Sequence, residues 1–318
     1  MRMKAFIASL LATSLLGACQ ILPPAPHAPA KTPAGVAQPS LDKVPAATPC
    51  KDQDDWNEAT APRHVFGNTW YVGTCGISVL LVATPEGHVL IDGATAKAAP
   101  HVLASLHALG VDPRDVRVLL SSHEHNDHVG GLAQLQAATG APLFARKTAM
   151  PALRLGRGDR SDPQFGIHEG FPPIADVREL VDGGISLGGL RISAHAMPGH
   201  TPGATTWSWD SCDGGQCRHM VHADSISAIS DDTFRYSDHP DYVAAFRAGL
   251  DTLAALPCDI LMTPHPGGSD LWPRLRGEAP LVDTNVVWTP ASSYGYSLLP
   301  SAQVERHVRA TAGAGKLQ

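Results

Sequence analysis

The sequence predicts an α/β domain in which a sandwich of β-sheets is covered by helices. Two observations support this fold class. Short apolar, β-branched runs occur in pairs joined by turn residues, and further runs alternate with segments of helical periodicity. The chain has 318 residues, 43% of them hydrophobic, which is enough for a substantial core and excludes a wholly disordered protein. A net charge of −6 argues against a nucleic-acid-binding protein, which normally carries a basic face.

The elements follow in order along the chain. Residues 78–83 and 89–91 are predicted strands joined by Pro-Glu-Gly, and residues 98–109 form a predicted helix that stops at Gly110. The pattern continues with a strand at 116–120, a helix at 131–138, strands at 142–145, 190–194, 205–209 and 219–223, a helix at 242–256 and a last strand at 259–262. Strand pairs mixed with strand–helix units favour two sheets packed face to face, with helices outside.

The first 18 residues have the form of a signal peptide. Arg2 and Lys4 precede a short apolar run, residues 5–16, which is too short for a membrane-spanning helix of about 20 residues. The sequence Leu-Gly-Ala-Cys that ends at Cys19 resembles a bacterial lipobox. The resemblance implies lipidation of Cys19 and lasting membrane anchorage. Gln20 then favours the outer membrane, facing the periplasm; the alternative is an unlipidated periplasmic protein.

Residues 19–49 are predicted to tether the anchor to the folded part. They contain eight prolines among small and polar residues, a composition that favours extended conformations and buries little apolar surface. No other segment has the composition of a linker, so residues 50–318 are predicted to form one domain.

Four potential metal ligands follow the strand predicted at 116–120. They are His123, His125, Asp127 and His128, in the sequence His-Glu-His-Asn-Asp-His. On an extended or turning backbone, His123 and His125 point the same way, whereas Asp127 and His128 lie about one turn further on. This spacing suits two neighbouring metal ions. Imidazole and carboxylate are common ligands of Zn²⁺, and a site built from them leaves a coordination position for water.

This cluster resembles the metallo-β-lactamase superfamily signature His-x-His-x-Asp-His. Two more histidines follow in the expected order, His200 in Pro-Gly-His-Thr-Pro-Gly and His265 in Thr-Pro-His-Pro. Upstream, Leu-Ile-Asp-Gly matches the motif whose aspartate, here Asp92, braces the metal-binding loop. The matching pieces run from about residue 67 to 267 and imply an αββα sandwich with two mixed β-sheets flanked by helices.

The resemblance also implies the ligand sets and a catalytic residue. The first zinc ion would be bound by His123, His125 and His200, and the second, weaker one by Asp127, His128 and His265. Asp127 would also be the catalytic residue that orients the attacking water and takes up its proton.

Three further stretches resemble subclass B3 metallo-β-lactamases: residues 66–73, residues 162–166 with 171–173, and Ala-Asp-Ser-Ile-Ser at 223–227. This resemblance implies hydrolysis of the amide bond of penicillins, cephalosporins and carbapenems by a zinc-bound hydroxide, without a covalent intermediate. Ser225 is expected to contact metal-bound water or substrate, and Ser227 to hold the substrate carboxylate. Asp224 as a bridge between the ions, typical of thioesterases and lactonases, is the alternative.

Other side chains carry weaker expectations. Residues 156–173, with His168 and Phe171, are predicted to line one side of the cleft. The histidines outside the ligand sets are expected to be surface or core residues. His195 and His222 lie on strands that lead towards the site. Their alternative role is to hold a metal ligand in place through a hydrogen bond.

Six cysteines include the lipidation site and two predicted disulfides. Cys212 and Cys217 flank a tight loop between strands, and an oxidising periplasm would join them. Cys50 with Cys75 is the second predicted bridge, and a pairing with Cys258 stays open. Subclass B3 enzymes commonly pair a cysteine near Cys258 with a later one, which this sequence lacks.

The expected partner is a small-molecule β-lactam, and no nucleic-acid partner is expected. The protein is expected to contact the membrane only through its lipid anchor and to be a monomer. Two other functions stay open. One is a lactonase or glyoxalase II-like thioesterase of the same fold, and the other is a non-catalytic zinc-binding lipoprotein.

Overall fold

The computed structural model describes residues 36–44, 50, 55–282, 288–289 and 297–298. The predicted signal peptide, the lipidation site Cys19 and most of the predicted tether lie outside these described residues. Within them, no helix combines the length and the apolar character needed to cross a membrane.

The first β-sheet has seven strands, arranged side by side in chain order. The strands are β1 (Arg63–Phe66), β2 (Thr69–Tyr71), β3 (Leu80–Thr84), β4 (Gly87–Ile91), β5 (Val116–Leu120), β6 (Leu143–Ala145) and β7 (Val177–Glu179). Strands β1 to β4 pair antiparallel, and β4 to β7 pair parallel, so the sheet is mixed.

The second β-sheet has five strands, β8 (Gly184–Leu187), β9 (Leu190–Ala196), β10 (Thr205–Asp213), β11 (Gln216–His222) and β12 (Ile260–Met262). Their spatial order is β12-β11-β10-β9-β8. All neighbours are antiparallel except β11 and β12, which are parallel. A separate antiparallel pair is formed by β13 (Trp288–Thr289) and β14 (Ser297–Leu298).

The α-helices of the described residues are α1 (Ala99–Ala108), α2 (Asn126–Val129), α3 (Leu132–Thr139), α4 (Met150–Leu155), α5 (Pro240–Ala255) and α6 (Leu271–Leu275). Four of them, α1, α2, α3 and α4, contribute buried residues to one hydrophobic cluster with the first sheet. Helix α5 contributes Leu253 to another cluster with the second sheet.

Alternation along the strands divides the core into layers. Leu81 packs towards the helices on the first sheet, whereas its neighbours Leu80 and Val82 pack in the cluster shared with Trp207 and Met220 of the second sheet. This is the period-two pattern of a strand buried on both faces. The order of layers is helix, sheet, sheet, helix, so the predicted αββα sandwich is confirmed.

Residues 36–44, which the sequence pattern places in the tether, lie against the domain. The backbone N–H of Ser40 donates to the carbonyl oxygen of Leu109 at 3.0 Å. The side chain of Gln38 donates to the carbonyl of Thr84 at 3.1 Å. The ring of His88 donates to the carbonyl of Ala37, also at 3.1 Å. The folded part therefore includes a segment upstream of residue 50, held mainly through its backbone.

Both predicted disulfides are confirmed. Cys50 is bonded to Cys75, and Cys212 to Cys217 at facing positions of the β10–β11 hairpin. Cys258 takes part in neither bridge, so the alternative pairing is not adopted.

Candidate metal centre

The predicted ligands meet because several strand ends share one edge of the sandwich. Strands β4 and β5 are parallel, so the residues after them, Asp92 and His123, leave the sheet on the same side. In the second sheet, β11 and β12 are parallel and end next to the start of β10. The loops that carry Asp224, His265 and His200 therefore open at one edge of that sheet.

His123, His125 and His200 form the first trio. One ring nitrogen of each lies within 4.8 Å of one ring nitrogen of the others. The three side chains are 1%, 2% and 8% exposed. Three converging, buried imidazoles are a donor set that can hold a divalent metal ion.

Asp127, His128 and His265 form the second trio. Asp127 Oδ2 lies 2.9 Å from His128 Nε2 and 3.3 Å from His265 Nε2. The side chain of His265 is 17% exposed, whereas that of His128 is fully buried. His123 also lies within 4.8 Å of Asp127 and His128, so the two trios adjoin.

Each histidine of the first trio is held by a group from another loop. His123 Nδ1 bonds to Asp224 Oδ1 at 2.7 Å, and His125 Nε2 bonds to Asp162 Oδ2 at 3.2 Å. His200 Nδ1 lies 3.1 Å from the carbonyl oxygen of Ser227. A histidine that donates one N–H to an acceptor has its tautomer and ring orientation set, and its other nitrogen is left for a metal ion.

Asp224 lies behind His123. It is fully buried, and its backbone N–H donates to Thr206 Oγ1 at 3.0 Å. Among the described residues, no group of three converging potential ligands includes Asp224. The placement favours support of a metal ligand over the alternative of a bridge between two ions.

Ser225 and Ser227 follow Asp224. Ser225 is 4% exposed. The hydroxyl of Ser227 lies 3.0 Å from His200 Nδ1. The prediction for Ser227 concerned only substrate, and the sequence pattern missed its contact with a predicted metal ligand.

The segment 156–173 does line the centre, and its side chains touch two ligands. The ring of His168 stacks on His125 with centroids 3.8 Å apart and planes 17° apart. The side-chain nitrogen of Gln164 lies 3.2 Å from Nδ1 and 3.3 Å from Nε2 of His200. The sequence pattern assigned the wall to this segment but missed the roles of Asp162 and Gln164, for which a single sequence carries no signal.

His168 lies close enough to His125 and Asp127 to suggest a third trio. An imidazole binds a metal ion in the plane of its ring, and two stacked, nearly parallel rings cannot both direct a lone pair at one ion. Burial, followed by the neighbouring His125, lowers the pKa of His168 to about 4. It is therefore a neutral ring that covers one face of His125.

The charges of the centre suit a cation. Burial holds the pKa values of His123 and His200 well below their usual range, with neighbouring histidines adding to the effect, so both rings are neutral. Burial alone would raise the pKa of Asp127, but His128 and His265 outweigh burial and hold it well below its usual range. The neutral rings of His123 and His200 and the ionised carboxylate of Asp127 are the protonation states that metal binding requires. Burial alone would lower the pKa of His128, but Asp127 outweighs burial and raises it, so the ring of His128 must lose a proton when it binds a metal ion.

Asp92 braces the ligand loop, as its motif implies. The backbone N–H of Ser122 donates to Asp92 Oδ1 at 2.6 Å, and His222 Nε2 lies 3.4 Å from Oδ2. His222 therefore supports the brace rather than a ligand directly. His195 bonds instead to the hydroxyl of Ser208 at 2.8 Å.

An open groove adjoins the second trio. Trp56 is 39% exposed, and its ring lies 5.7 Å from that of His265. Trp56, Thr95, Asn126 and Phe171 are among the residues that line this groove of about 240 Å³. A larger groove of about 520 Å³ along α5 is lined by none of the potential ligands.

Comparison with known sequences agrees with this geometry. The sequence profile of the Metallo-beta-lactamase superfamily matches residues 72–265. Among curated proteins, the chain is 30% identical over 151 residues to a hydroxyacylglutathione hydrolase of Anaeromyxobacter dehalogenans, covering 44% of this chain and 48% of that protein. It is 30% identical over 188 residues to a probable metallo-hydrolase of Burkholderia pseudomallei, covering 54% and 58%. The chain thus spans about half the length of the curated relatives it matches.

Solved structures are similar over a larger share of their length. Metallo-β-lactamase SMB-1 is 43% identical with a TM-score of 0.70, covering 73% of this chain and 92% of that chain. MIM-1 from Novosphingobium pentaromativorans is 45% identical with a TM-score of 0.73, covering 84% and 97%. MEM-A1, a subclass B3 metallo-β-lactamase from a soil metagenome library, is 36% identical with a TM-score of 0.70, covering 82% and 100%.

Proposed function

The chain belongs to the metallo-β-lactamase superfamily, and from this premise we propose that it is a zinc-dependent β-lactamase of the subclass B3 kind. Its substrates would be penicillins, cephalosporins and carbapenems. The observation that carries the proposal is the pair of adjoining trios, which contain only histidine and aspartate. Asp224 lies outside both trios and contacts Nδ1 of His123. A bridging Asp224 would have favoured a thioesterase or lactonase.

The donor atoms fit zinc. His125 Nδ1 and Asp127 Oδ1 are buried and have no hydrogen-bond partner among the described residues. Leaving such atoms unpaired costs about 1–3 kcal/mol each, a cost that coordination of a cation removes. Imidazole nitrogen and carboxylate oxygen are common zinc ligands. The first trio would hold one ion and the second trio another.

When bound, zinc would lower the pKa of a coordinated water to about 7 and polarise the carbonyl under attack. The remaining work falls to the chain itself. Asp127 Oδ2 lies 2.9 Å from His128 Nε2 and 3.3 Å from His265 Nε2. One oxygen of the Asp127 carboxylate would face the second ion, and the other would accept a hydrogen bond from the attacking water. Because its pKa lies well below the usual range, Asp127 stays ionised, and orienting the water is its main task.

Substrate would lie in the groove beside the second trio. The exposed face of Trp56 and the side chain of Phe171 offer apolar contact to the groups attached to the lactam ring. The Nδ1–H of His200 faces both the carbonyl oxygen and the hydroxyl of Ser227, so the hydroxyl can share that hydrogen as an acceptor and still donate its own hydrogen to a substrate carboxylate. Ser225 is proposed to contact the substrate next to it.

The test is a comparison of substrates with one zinc-loaded preparation. We expect turnover of a chromogenic cephalosporin and of a carbapenem, with negligible turnover of S-lactoylglutathione and of a simple lactone. A preference for the thioester or lactone would overturn the β-lactamase proposal in favour of the same-fold alternative. Tight zinc binding without turnover of any of them would instead support a zinc-binding protein.

A further inference from the structure

Glu124 lies between two ligands of the first trio in the chain but points to a different loop. Its side chain is 3% exposed. The hydroxyl of Thr201 donates to Glu124 Oε2, and the backbone N–H of Gly203 donates to Oε1, each at 2.7 Å. Thr201 is the residue after His200, and Gly203 is three residues after it. One carboxylate thus connects the loop that carries two ligands to the loop that carries the third.

The connection is closely fitted. A side chain at Gly203 would place its Cβ 2.7 Å from Glu124 Oε2 and 2.3 Å from the Cβ of Ala149, so only glycine allows this approach. Arg146 donates to the carbonyl of the next residue, Ala204, at 2.9 Å. The charge of Arg146 also lies near that of Glu124.

Two other hydrogen bonds between the same loops lie at their bases. The backbone N–H of Thr205 donates to the carbonyl of Ser122 at 2.7 Å, and the indole N–H of Trp207 donates to that of Ser121 at 3.0 Å. These contacts lie at the end of β5 and the start of β10, outside the run of ligands. Glu124 is the contact placed among the ligands themselves.

A buried carboxylate is costly, and an apolar side chain of similar size would fill the space at lower cost. We propose that Glu124 is a positioning residue of the metal centre, which sets the distance of His200 from His123 and His125. This inference rests on the metal-binding part of the proposed function and is independent of the substrate.

The experiment measures metal binding rather than turnover. Co²⁺ and Zn²⁺ affinities, from absorption titration and chelator competition, would be compared for the wild type, Glu124→Ala, Thr201→Val and Thr201→Ser. Thermal melting of the metal-free proteins reports folding. Glu179→Gln, an exposed acid on β7, is the matched control.

We expect Glu124→Ala to weaken binding of the first ion by about 10–100-fold. Thr201→Val removes one of the two bonds and should weaken it less, whereas Thr201→Ser restores wild-type affinity because the hydroxyl is kept. Thr201→Val also keeps the test valid if Glu124→Ala does not fold.

A lower melting temperature with unchanged first-ion affinity in Thr201→Val, or in a folded Glu124→Ala protein, would overturn the inference and leave Glu124 a purely structural residue. Failure of the proposed function looks different. In that case the wild-type protein itself binds neither metal, or binds both and hydrolyses no β-lactam.

Discussion

The two trios differ in what holds their ligands. Each histidine of the first trio is bonded to a group outside the trio, namely Asp224, Asp162 or Ser227. In the second trio, Asp127 Oδ2 lies 2.9 Å and 3.3 Å from ring nitrogens of the other two members, and His265 is partly exposed. Ligands held from outside keep their arrangement without an ion, whereas ligands that hold one another must give up those contacts when an ion enters.

Preorganised ligands bind more tightly, because less ordering is required on binding. The difference therefore predicts that the first ion is bound more tightly than the second. The same difference identifies which residues control each ion, and substitutions at those residues test it.

The largest effect is expected from removing a ligand. His123→Ala should lower β-lactam turnover by several powers of ten, because without the first ion the pKa of the attacking water returns from about 7 towards that of bulk water. His265→Ala should reduce the bound zinc from two ions to one while the first ion keeps its affinity. Elemental analysis and initial rates check both variants, with His219→Ala, an exposed histidine, as control. Loss of both ions from His265→Ala would refute the asymmetry.

The next effect comes from the support of His123. Asp224→Ala should weaken first-ion binding by about 10–100-fold, since the ring loses the acceptor that sets its tautomer. Asp224→Asn should cost less, because its amide oxygen still accepts the bond. Chelator competition measures both. Equal loss of the second ion in Asp224→Asn would point instead to a bridging role.

A smaller effect is expected from the stacked ring. His168→Ala removes a contact worth about 0.5–1.5 kcal/mol, or roughly 2–10-fold in first-ion affinity. His168→Phe keeps the stack but loses the contacts of the ring nitrogens with Asn126 and Gln164, so its zinc affinity should lie between those of His168→Ala and the wild type, with both ions still bound. Zinc affinity of the two variants decides the matter. If the Phe variant lost a metal ion, His168 would be a ligand.

The smallest effect concerns the anchor of the segment that carries Asp162. Bonds from Thr233, Phe234 and Gly166 hold the pKa of Asp231 at about 2. A lowered carboxyl pKa adds stability that is fully present above about pH 4 and is lost as the pH falls through about 2. Asp231→Asn should therefore lower the melting temperature slightly at pH 6.

The difference between Asp231→Asn and wild type should shrink as the pH falls from 4 towards 2. The neighbouring, exposed Asp232 provides the matched control, Asp232→Asn. A difference in melting temperature that is independent of pH would show that the charge of Asp231 is not what anchors the segment.

The parts of the site that were predicted from the sequence lie in short, contiguous motifs. The ligand motif is contiguous, and His200 and His265 stand in short turns after recognisable strands. The strands and helices predicted from apolar periodicity are present, although β1, β2, β7, β8, β13, β14, α2, α4 and α6 were missed. These elements are short, and several include glycine, charged residues or ligands that interrupt the apolar pattern.

The residues that hold the ligands in place could not be predicted from such motifs. Asp162 bonds to His125 across 37 positions of the chain, and Asp224 to His123 across 101. Their partners are fixed by how the loops fold over the sheet edge, and no spacing in the sequence encodes that. The packing of residues 36–44 was missed for a related reason, because their bonds to the domain run largely through backbone atoms.

The most direct test of the account is carbapenem hydrolysis by one purified preparation in three states: zinc-loaded, stripped by a chelator, and stripped then resupplied with zinc. We expect turnover in the first state, none in the second and recovery in the third. Turnover that survives removal of the metal, or its absence from the zinc-loaded protein, would contradict it.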